Sequence, residues 1–522
     1  MNKVLITGTG SELQGVGRLE DGRAVFVPMA LPGETAEIEI TREKDRFAQA
    51  RLVSTENPSP RRTQPVCPYY GSCGGCRAQH MEYGLSLSLK REKVQNALTH
   101  IGGLTEPLVE ETLPSEKILA YRNKAEFACV NGCTGVFEEG TNRVIDTDAC
   151  LLQTDSVNRL LVWLKRNMEN LPIKYIVTRI NDAGEIMLTL SLTYPGDVTE
   201  LAKRVCAAFE EVRSVYLCRL NRLPAHALDG ECVKVLGEDT LFERLCGLSF
   251  TVSPRSFFQV NRPQAEKLYE TALRMAELKS TDKIADIYCG AGTISLCAAR
   301  ACAHVTGIEI VPEAIRDAKR NAERNGLTKK TEFLCGDAAR VYPALAAKNR
   351  FDAVIVDPPR KGLDKAVTDA LIAVPAEKLV YVSCDPGTLA RDVKLLTQSG
   401  RYRFVSARPV DMFPLTAHVE TVVLLSKLHE AKHHVSVKLD MDEMDLTSAE
   451  SKATYEEIKK YVAEHNEGMK VSSLNIAQVK RKCGIELAEN YNLPKSEDSK
   501  QPLCPKEKED AIVEALKAFQ MI

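Results

Sequence analysis

From Asn261 to Lys427 the sequence alternates strand-like apolar runs with helix-like runs, and this alternation constrains the fold more than any other feature of the chain. Strands joined through helices run parallel, and a parallel sheet must be covered on both faces. The run Lys283-Ile-Ala-Asp-Ile-Tyr-Cys-Gly-Ala-Gly-Thr-Ile-Ser-Leu296 passes from a strand through a glycine turn into a helix start. Gly290 and Gly292 let backbone approach a ligand at the carboxyl edge of the sheet. Nineteen residues after Gly290 the next strand, His304–Glu309, ends in a carboxylate, at the spacing of a clamp on a ribose hydroxyl pair. A nicotinamide dehydrogenase wants a third glycine where this chain has Ser295, which argues against a dinucleotide enzyme.

The following strands bring polar residues to the same edge. One precedes Cys335-Gly-Asp337, and another is Phe351-Asp-Ala-Val-Ile-Val-Asp-Pro-Pro-Arg360. Leu379-Val-Tyr-Val-Ser-Cys384 comes next. A single Cys is ordinarily a small buried hydrophobe; Cys384 differs because it ends the strand after Asp357, where a thiolate can act on a ligand of the glycine turn. The last strand opens with Ala417-His-Val-Glu420, and strand alternation puts His418 and Glu420 on one face, so either is a candidate base. One nucleophilic thiol and one base at the same edge fit covalent catalysis, in which a thiolate adds to the substrate and the adduct breaks down when a base removes a proton.

The N-terminal third is different. Five short alternating runs between Val4 and Val53, punctuated by Gly and Pro, predict a closed β-barrel over residues 1–60. Asn57-Pro-Ser-Pro-Arg-Arg-Thr-Gln-Pro65 reads as a linker. Cys67-Pro-Tyr-Tyr-Gly-Ser-Cys73-Gly-Gly-Cys76 then sets three thiols among glycines, a metal-centre pattern that needs a fourth ligand from Cys129, Cys133 or Cys150. Structural zinc more often shows two Cys-x-x-Cys pairs, and only one is present. Tyr83 to Ile101 predicts one helix ending at Gly102-Gly103, and Tyr121 to Phe250 reads as mostly strands. Beyond residue 432 the pattern predicts three short helices: Tyr455–Ala463, Ser473–Gly484 and Lys506–Phe519. The basic stretch in the second is ordinarily a solvated face.

At 522 residues with 44% apolar content the chain has material for two to four domains. Seventeen cysteines fit reduced thiols better than a secreted disulfide framework, and with no signal-like start and no long apolar span the expected location is the cytoplasm, away from membranes. A net charge of −2 says nothing about nucleic acid unless positive surface is local.

Asp286-Ile-Tyr-Cys-Gly-Ala-Gly292 resembles motif I of S-adenosylmethionine-dependent methyltransferases. With Cys67-x5-Cys73-x2-Cys76, Ser256-Phe-Phe-Gln-Val-Asn261, Asp357-Pro-Pro-Arg-Lys-Gly362, Ser383-Cys-Asp-Pro-Gly-Thr-Leu-Ala-Arg-Asp392 and His418-Val-Glu420, residues 1 to about 427 resemble the RNA uracil-5-methyltransferase family, in its ribosomal RNA branch with a TRAM domain and a [4Fe-4S] cluster. The resemblance implies an α/β fold. A Rossmann-like class I methyltransferase domain (251–430) would follow a TRAM, OB-like barrel (1–60) and a β-rich iron-sulfur domain (61–250), with a small helical extension (431–522). It implies that the helix at 83–101 packs on the catalytic domain, that Cys384 is the nucleophile and Glu420 the base, and that Gln259, Tyr288, Glu309, Asp337 and Asp357 line the S-adenosylmethionine site. It assigns the cluster to Cys67, Cys73, Cys76 and Cys150. The implied substrate is a uridine of 23S ribosomal RNA, with transfer RNA the nearest enzymatic alternative and a non-catalytic assembly factor the alternative of another class. Thr293 departs from close relatives, which can carry asparagine there, and the tail lies outside the family pattern. Nothing in the sequence requires an obligate protein partner.

Overall fold

Alternating apolar residues close the first segment into a five-stranded barrel. Strands β1 (Asn2–Thr9), β2 (Gly15–Arg18), β3 (Ala24–Val27), β4 (Thr35–Glu43) and β5 (Phe47–Glu56) run in the order β1-β2-β3-β5-β4, with β4 pairing back onto β1. Val4, Ile6, Val25, Val27, Ile38 and Ala48 point inward and are buried, and closure leaves no exposed edge. The Pro-rich stretch after β5 is tied down rather than free. Fully buried Glu34 accepts hydrogen bonds from Leu31 N at 2.8 Å, Ser59 N at 3.0 Å and Arg62 Nε at 2.7 Å. Burial works to raise its pKa, but Arg62 and the two backbone N–H groups outweigh that and hold it below the usual value.

The computed structural model describes residues 2–168, 171–220, 226–428, 455–466, 468–483, 504–519 and 521. Helix α1 (Tyr83–Asn96) continues into a π-helical turn, Ala97–Ile101. Its Lys90, fully buried, donates to Asp411 Oδ1 at 2.5 Å and to Phe413 O at 3.1 Å, while Tyr83 donates to Asp411 Oδ2 at 2.7 Å. Removing one partner would strand a buried charge, at a cost of about 3–5 kcal/mol. Val94 and Leu98 share an apolar cluster with Leu389 and Val393 of the catalytic sheet's cover, so the helix is fixed to the segment leading to Glu420.

A seven-stranded sheet follows, made of β6 (Lys124–Val130), β7 (Cys133–Phe137), β8 (Val144–Asp146), β9 (Ile173–Ile180), β10 (Ile186–Leu192), β11 (Val212–Leu220) and β12 (Gly230–Gly237), in the order β12-β11-β10-β9-β6-β7-β8. The expectation of mostly strands missed two helices here, α2 (Asp155–Asn167) and α3 (Thr199–Ala208). Val157, Leu160, Leu161 and Leu164 recur at helical spacing and bury that face of α2 in the sheet's core. The β-branched runs of β9 and β10 dominate the pattern around them and hide that period.

The hairpin β13 (Leu241–Leu245) and β14 (Leu248–Val252) packs with helix α4 (Arg262–Ala276) in the core of the second large sheet. That sheet alternates β15 (Lys283–Ile287), α5 (Thr293–Ala299), β16 (His304–Glu309), α6 (Pro312–Arg324), β17 (Thr331–Cys335), α7 (Ala338–Ala346), β18 (Ala353–Val356), α8 (Lys365–Ala373), β19 (Lys378–Ser383) and α9 (Pro386–Gln398), and ends with β20 (Tyr402–Val410) and β21 (Glu420–Lys427). The order is β17-β16-β15-β18-β19-β21-β20; the pairs from β17 to β19 are parallel, and β21 is antiparallel to both neighbours. The chain reverses its direction of growth at β15, which opens a crevice at the carboxyl ends of the strands.

Residues 431–522 form a second compact unit. Its helices α10 (Tyr455–His465), α11 (Ser473–Lys482) and α12 (Lys506–Ala518) enclose Ile458, Val462, Ile476, Val479, Ile512 and Leu516. Ser472 and Asn475 form a capping box that starts α11; the expected end of that helix at Gly484 lies outside the described residues. Among the described residues no helix is long and apolar enough to cross a membrane.

Candidate active site

A cavity of about 1210 Å³ opens at the crevice of the catalytic sheet, and Gln259, Tyr288, Glu309, Asp337, Asp357, Cys384 and Glu420 all line it. The glycine turn explains part of its shape. Tyr288 and Gly292 both take positive φ, 71° and 80°, and a Cβ on Gly292 would stand 3.1 Å from Ala318 and Phe333 atoms, so a side chain there is strained and crowded. Glu309 accepts from Gly290 N at 3.2 Å and Val311 N at 2.9 Å, which fixes its carboxylate between the turn and the next loop. Asp337 caps α7, accepting from Ala339 N at 3.0 Å. Ser295 donates to buried Asp286, an anchor that a glycine there could not supply. Thr293 Oγ1 lies 3.2 Å from Tyr269 OH, and both line the cavity.

Cys384 and Glu420 are brought near each other by strand register. Ser383 pairs with Thr421 in the antiparallel β19–β21 ladder, and one step further the same register sets Cys384 opposite Glu420. Cys384 directly precedes Asp385, the N-cap of α9, whose Oδ1 accepts from Thr388 N at 2.8 Å, so the thiol stands at the positive end of a helix. Burial, then Glu420 and Asp357, push the thiol up to about 11, while Arg360 pulls it down. Burial and the charge of Asp357 push Glu420 up to about 8, and burial and Asp286 push Asp357 up to about 7. His418 lines the same cavity but is exposed, against a Phe413 ring edge-on at 5.9 Å, whereas Glu420 is 5% exposed.

Sequence reasoning missed Phe257, Arg255 and Arg122 as cavity residues. Phe257 is 72% exposed at the cavity, an unusual position for so large an apolar ring. Its signal was the doubled Phe in Ser256-Phe-Phe-Gln259, where Phe258 is buried and serves the core.

A second cavity, about 360 Å³, is lined by Cys67, Cys73, Cys76 and Cys150, and not by Cys129 or Cys133; Arg122 and Val260 line both cavities. Gly75 N donates to Cys73 Sγ at 3.3 Å. Burial raises the thiols of Cys73, Cys76 and Cys150, and the neighbouring thiols raise each of them further. Among the described residues no group of three or more His, Cys, Asp or Glu side chains is placed to hold a single metal ion.

Residues 239–428 match the family described as tRNA (Uracil-5-)-methyltransferase, and residues 2–53 match the TRAM domain. An RNA methyltransferase of Halalkalibacterium halodurans is 37% identical over 433 residues, spanning 79% of this chain and 93% of the relative. The chain belongs to the RNA uracil-5-methyltransferase family. A second member, from Clostridium tetani, is 35% identical over 450 residues, covering 82% of this chain and 96% of its own length. Among solved structures of the uracil-5-methyltransferases, the tRNA (uracil-54, C5)-methyltransferase of Pyrococcus abyssi, determined with S-adenosyl-L-homocysteine, superimposes with a TM-score of 0.66 at 28% identity. The match covers 81% of this chain and all of that one.

Proposed function

We propose that the protein transfers a methyl group from S-adenosylmethionine to carbon 5 of a uridine in 23S ribosomal RNA, through a covalent bond between Cys384 and carbon 6 of the base. The observation that carries the chemistry is the pair Cys384 and Glu420 at the strand ends, in one cavity with the glycine turn and Glu309, while the ribosomal target rests on the resemblance of the cysteine motif and barrel to the ribosomal RNA branch. Bound there, the cofactor supplies an electrophilic methyl group. Glu309 takes the ribose hydroxyls, Asp337 the adenine edge, and Gln259, Tyr288 and Asp357 the remaining wall of the site.

The target base has to leave its stack, because carbon 6 is closed to a thiol inside a helix. Phe257 offers the extruded base an aromatic face. Cys384 adds to carbon 6 as the thiolate, which Arg360 and the start of α9 stabilise against the burial and the carboxylates that raise the thiol. Carbon 5 takes the methyl group, Glu420 removes the proton there, and the electron pair of that C–H bond expels the Cys384 thiolate. A carboxylate with a pKa near 8 is a stronger base than an ordinary one, which suits a carbon acid.

We assign the thiol cavity to a [4Fe-4S] cluster. What supports this is that Cys67, Cys73, Cys76 and Cys150 are among the residues lining one cavity of about 360 Å³, and that the Gly75 N–H donates to Cys73 Sγ. Cys67, Cys73, Cys76 and Cys150 would hold the cluster, which would tie the loop before α1 to the segment after β8. The barrel at 1–60 would add RNA affinity, the 61–250 region would carry the cluster and 251–430 the chemistry, in the cytoplasm.

Unmodified 23S ribosomal RNA and transfer RNA, each incubated with the protein and methyl-labelled cofactor, test the target; label in 23S ribosomal RNA is expected, and label in transfer RNA alone overturns that assignment. With 5-fluorouridine RNA, which has no proton on carbon 5 to remove, a denaturation-resistant adduct at Cys384 is expected. Binding without label in either RNA would instead point to a non-catalytic assembly factor.

A further inference from the structure

The loop from Ser253 to Val260 has no helix or strand, yet all of its residues line the reaction cavity, and it carries Phe257 and Gln259. Irregular backbone of this kind needs partners for its carbonyls. They come from one place in the other sheet, where Lys124 at the start of β6 pairs with Arg179 near the end of β9. Arg179 is 7% exposed, and its guanidinium donates through Nε to Pro254 O at 3.4 Å and through Nη2 to Ser256 O. Next to it, Asn123 donates through its backbone N to Val260 O at 2.8 Å and through Nδ2 to Gln259 O at 2.9 Å, and itself accepts from Ile180 N at 2.9 Å. The far side of the loop is held by Ser256 Oγ, which donates to Asp317 Oδ2 at 2.8 Å.

Burying a guanidinium is costly. Burial lowers the Arg179 pKa to about 10, still charged at neutral pH, and Glu126 offsets part of that cost through space. Its hydrogen bonds, however, go to two loop carbonyls two residues apart. The planar fork reaches two such acceptors from two nitrogens in fixed geometry, whereas a lysine ammonium has to reach both from one nitrogen on a flexible stem.

We propose that Arg179 and Asn123 are positioning residues that clamp the Ser253–Val260 loop, so that Phe257 and Gln259 stand ready in the cavity before RNA binds. The proposal builds on the RNA methylation reading above, and its consequence is a lower ordering cost on binding.

The test uses the full-length protein. Arg179→Met should raise the KM for RNA about 30-fold with little change in kcat, as loss of two charge-assisted hydrogen bonds implies. Arg179→Lys, with one donor nitrogen in place of the fork, should recover only part of the loss, and a wild-type KM in Arg179→Met would overturn the clamp. In a Phe257→Ala background, Arg179→Met should raise the KM for RNA by no more than about threefold, because that KM reads the ring whereas Gln259 faces the cofactor; full additivity in the KM for RNA would overturn it. Asn123→Ala runs the same cycle if the arginine variants fold poorly. One readout does not depend on activity: trypsin should cut after Arg255 at least about tenfold faster in Arg179→Met than in the wild type. Unchanged cleavage refutes the clamp, whereas faster cleavage in a protein that methylates no RNA leaves the clamp standing and refutes the reaction.

Discussion

In the reaction cavity the reactive groups stand at or just beyond the ends of strands β15, β16, β18 and β19 and at the start of β21, whereas in the thiol cavity all four cysteines sit on loops before α1 and after β8. The sheet can hold Asp286, Asp357 and Glu420 close together against their mutual repulsion, and their pKa values are pushed to about 6, 7 and 8. Loops have no such ladder, so groups carried on them depend for their arrangement on side-chain hydrogen bonds or on what they bind. The two cavities thus differ in what carries their groups, strand ends in one and loops in the other, with Arg122 and Val260 as shared wall.

The sharpest way to break this contrast is to remove one sulfur from each side. Cys384→Ala should abolish methyl transfer, by at least about 10⁴-fold, because nothing else can activate carbon 5. RNA affinity and the fold should stay near wild type. Residual turnover above that level, measured with labelled cofactor, would remove the covalent step. Cys73→Ser should act the other way: iron content falling well below about four per chain after anaerobic purification, and a lower melting temperature, with activity lost through the fold. Stoichiometric zinc and no iron in the wild type would discard the cluster.

Glu420 gives the next largest effect and splits stability from activity. Glu420→Gln should slow turnover by about 10²–10⁴-fold and let the methylated Cys384 adduct accumulate, visible as a protein-RNA band that survives denaturation. In the wild type, turnover limited by this base should rise with pH up to about 8 and then level off. The stability sign is the reverse. A carboxyl raised from 4.5 to about 8 keeps its proton in the folded state after the unfolded chain has lost it, so stability falls as pH rises from about 4.5 to 8. Glu420→Gln removes that penalty and should melt higher than the wild type at pH 8.5, by a few degrees; an unchanged or lower melting point would mean the carboxylate is not desolvated.

Strand-borne features were the legible ones. The glycine turn, Glu309, Asp337, Asp357 and Cys384 each end a strand or open a helix in the sequence pattern, and the structure gathers them because parallel strands present their carboxyl ends together. Alternation placed His418 and Glu420 on one face but not at different depths. The difference comes from antiparallel pairing, which seats Glu420 against Val410 and beside Ser383, and leaves His418 at the rim. Arg179 and Asn123 were invisible because their acceptors lie about 75 and 136 residues away in the chain, and no local period encodes a side chain that reaches a distant carbonyl. Helices α2 and α3 were hidden for the opposite reason, a local period drowned by stronger neighbours.

The smallest effect is expected from the tail. Its three helices bury their own apolar set, Ile458, Val462, Ile476, Val479, Ile512 and Leu516, so the unit has a core of its own. The match to the Halalkalibacterium halodurans relative uses 79% of this chain but 93% of that one, which leaves the relative little length to correspond to a tail of this size. Deleting residues 431–522 should therefore keep methyl transfer within about twofold of the wild type, since the cavity residues all belong to the other unit, which has cores of its own. The charges of α11 sharpen the point: Lys482 pairs with Glu509 of α12 at 2.8 Å, and Lys480 is buried over the Tyr455 ring. One of its basic side chains is thus buried in the unit and another is paired at the unit's surface. A drop of tenfold or more in RNA affinity on deletion would show that the remaining basic surface of the tail binds substrate.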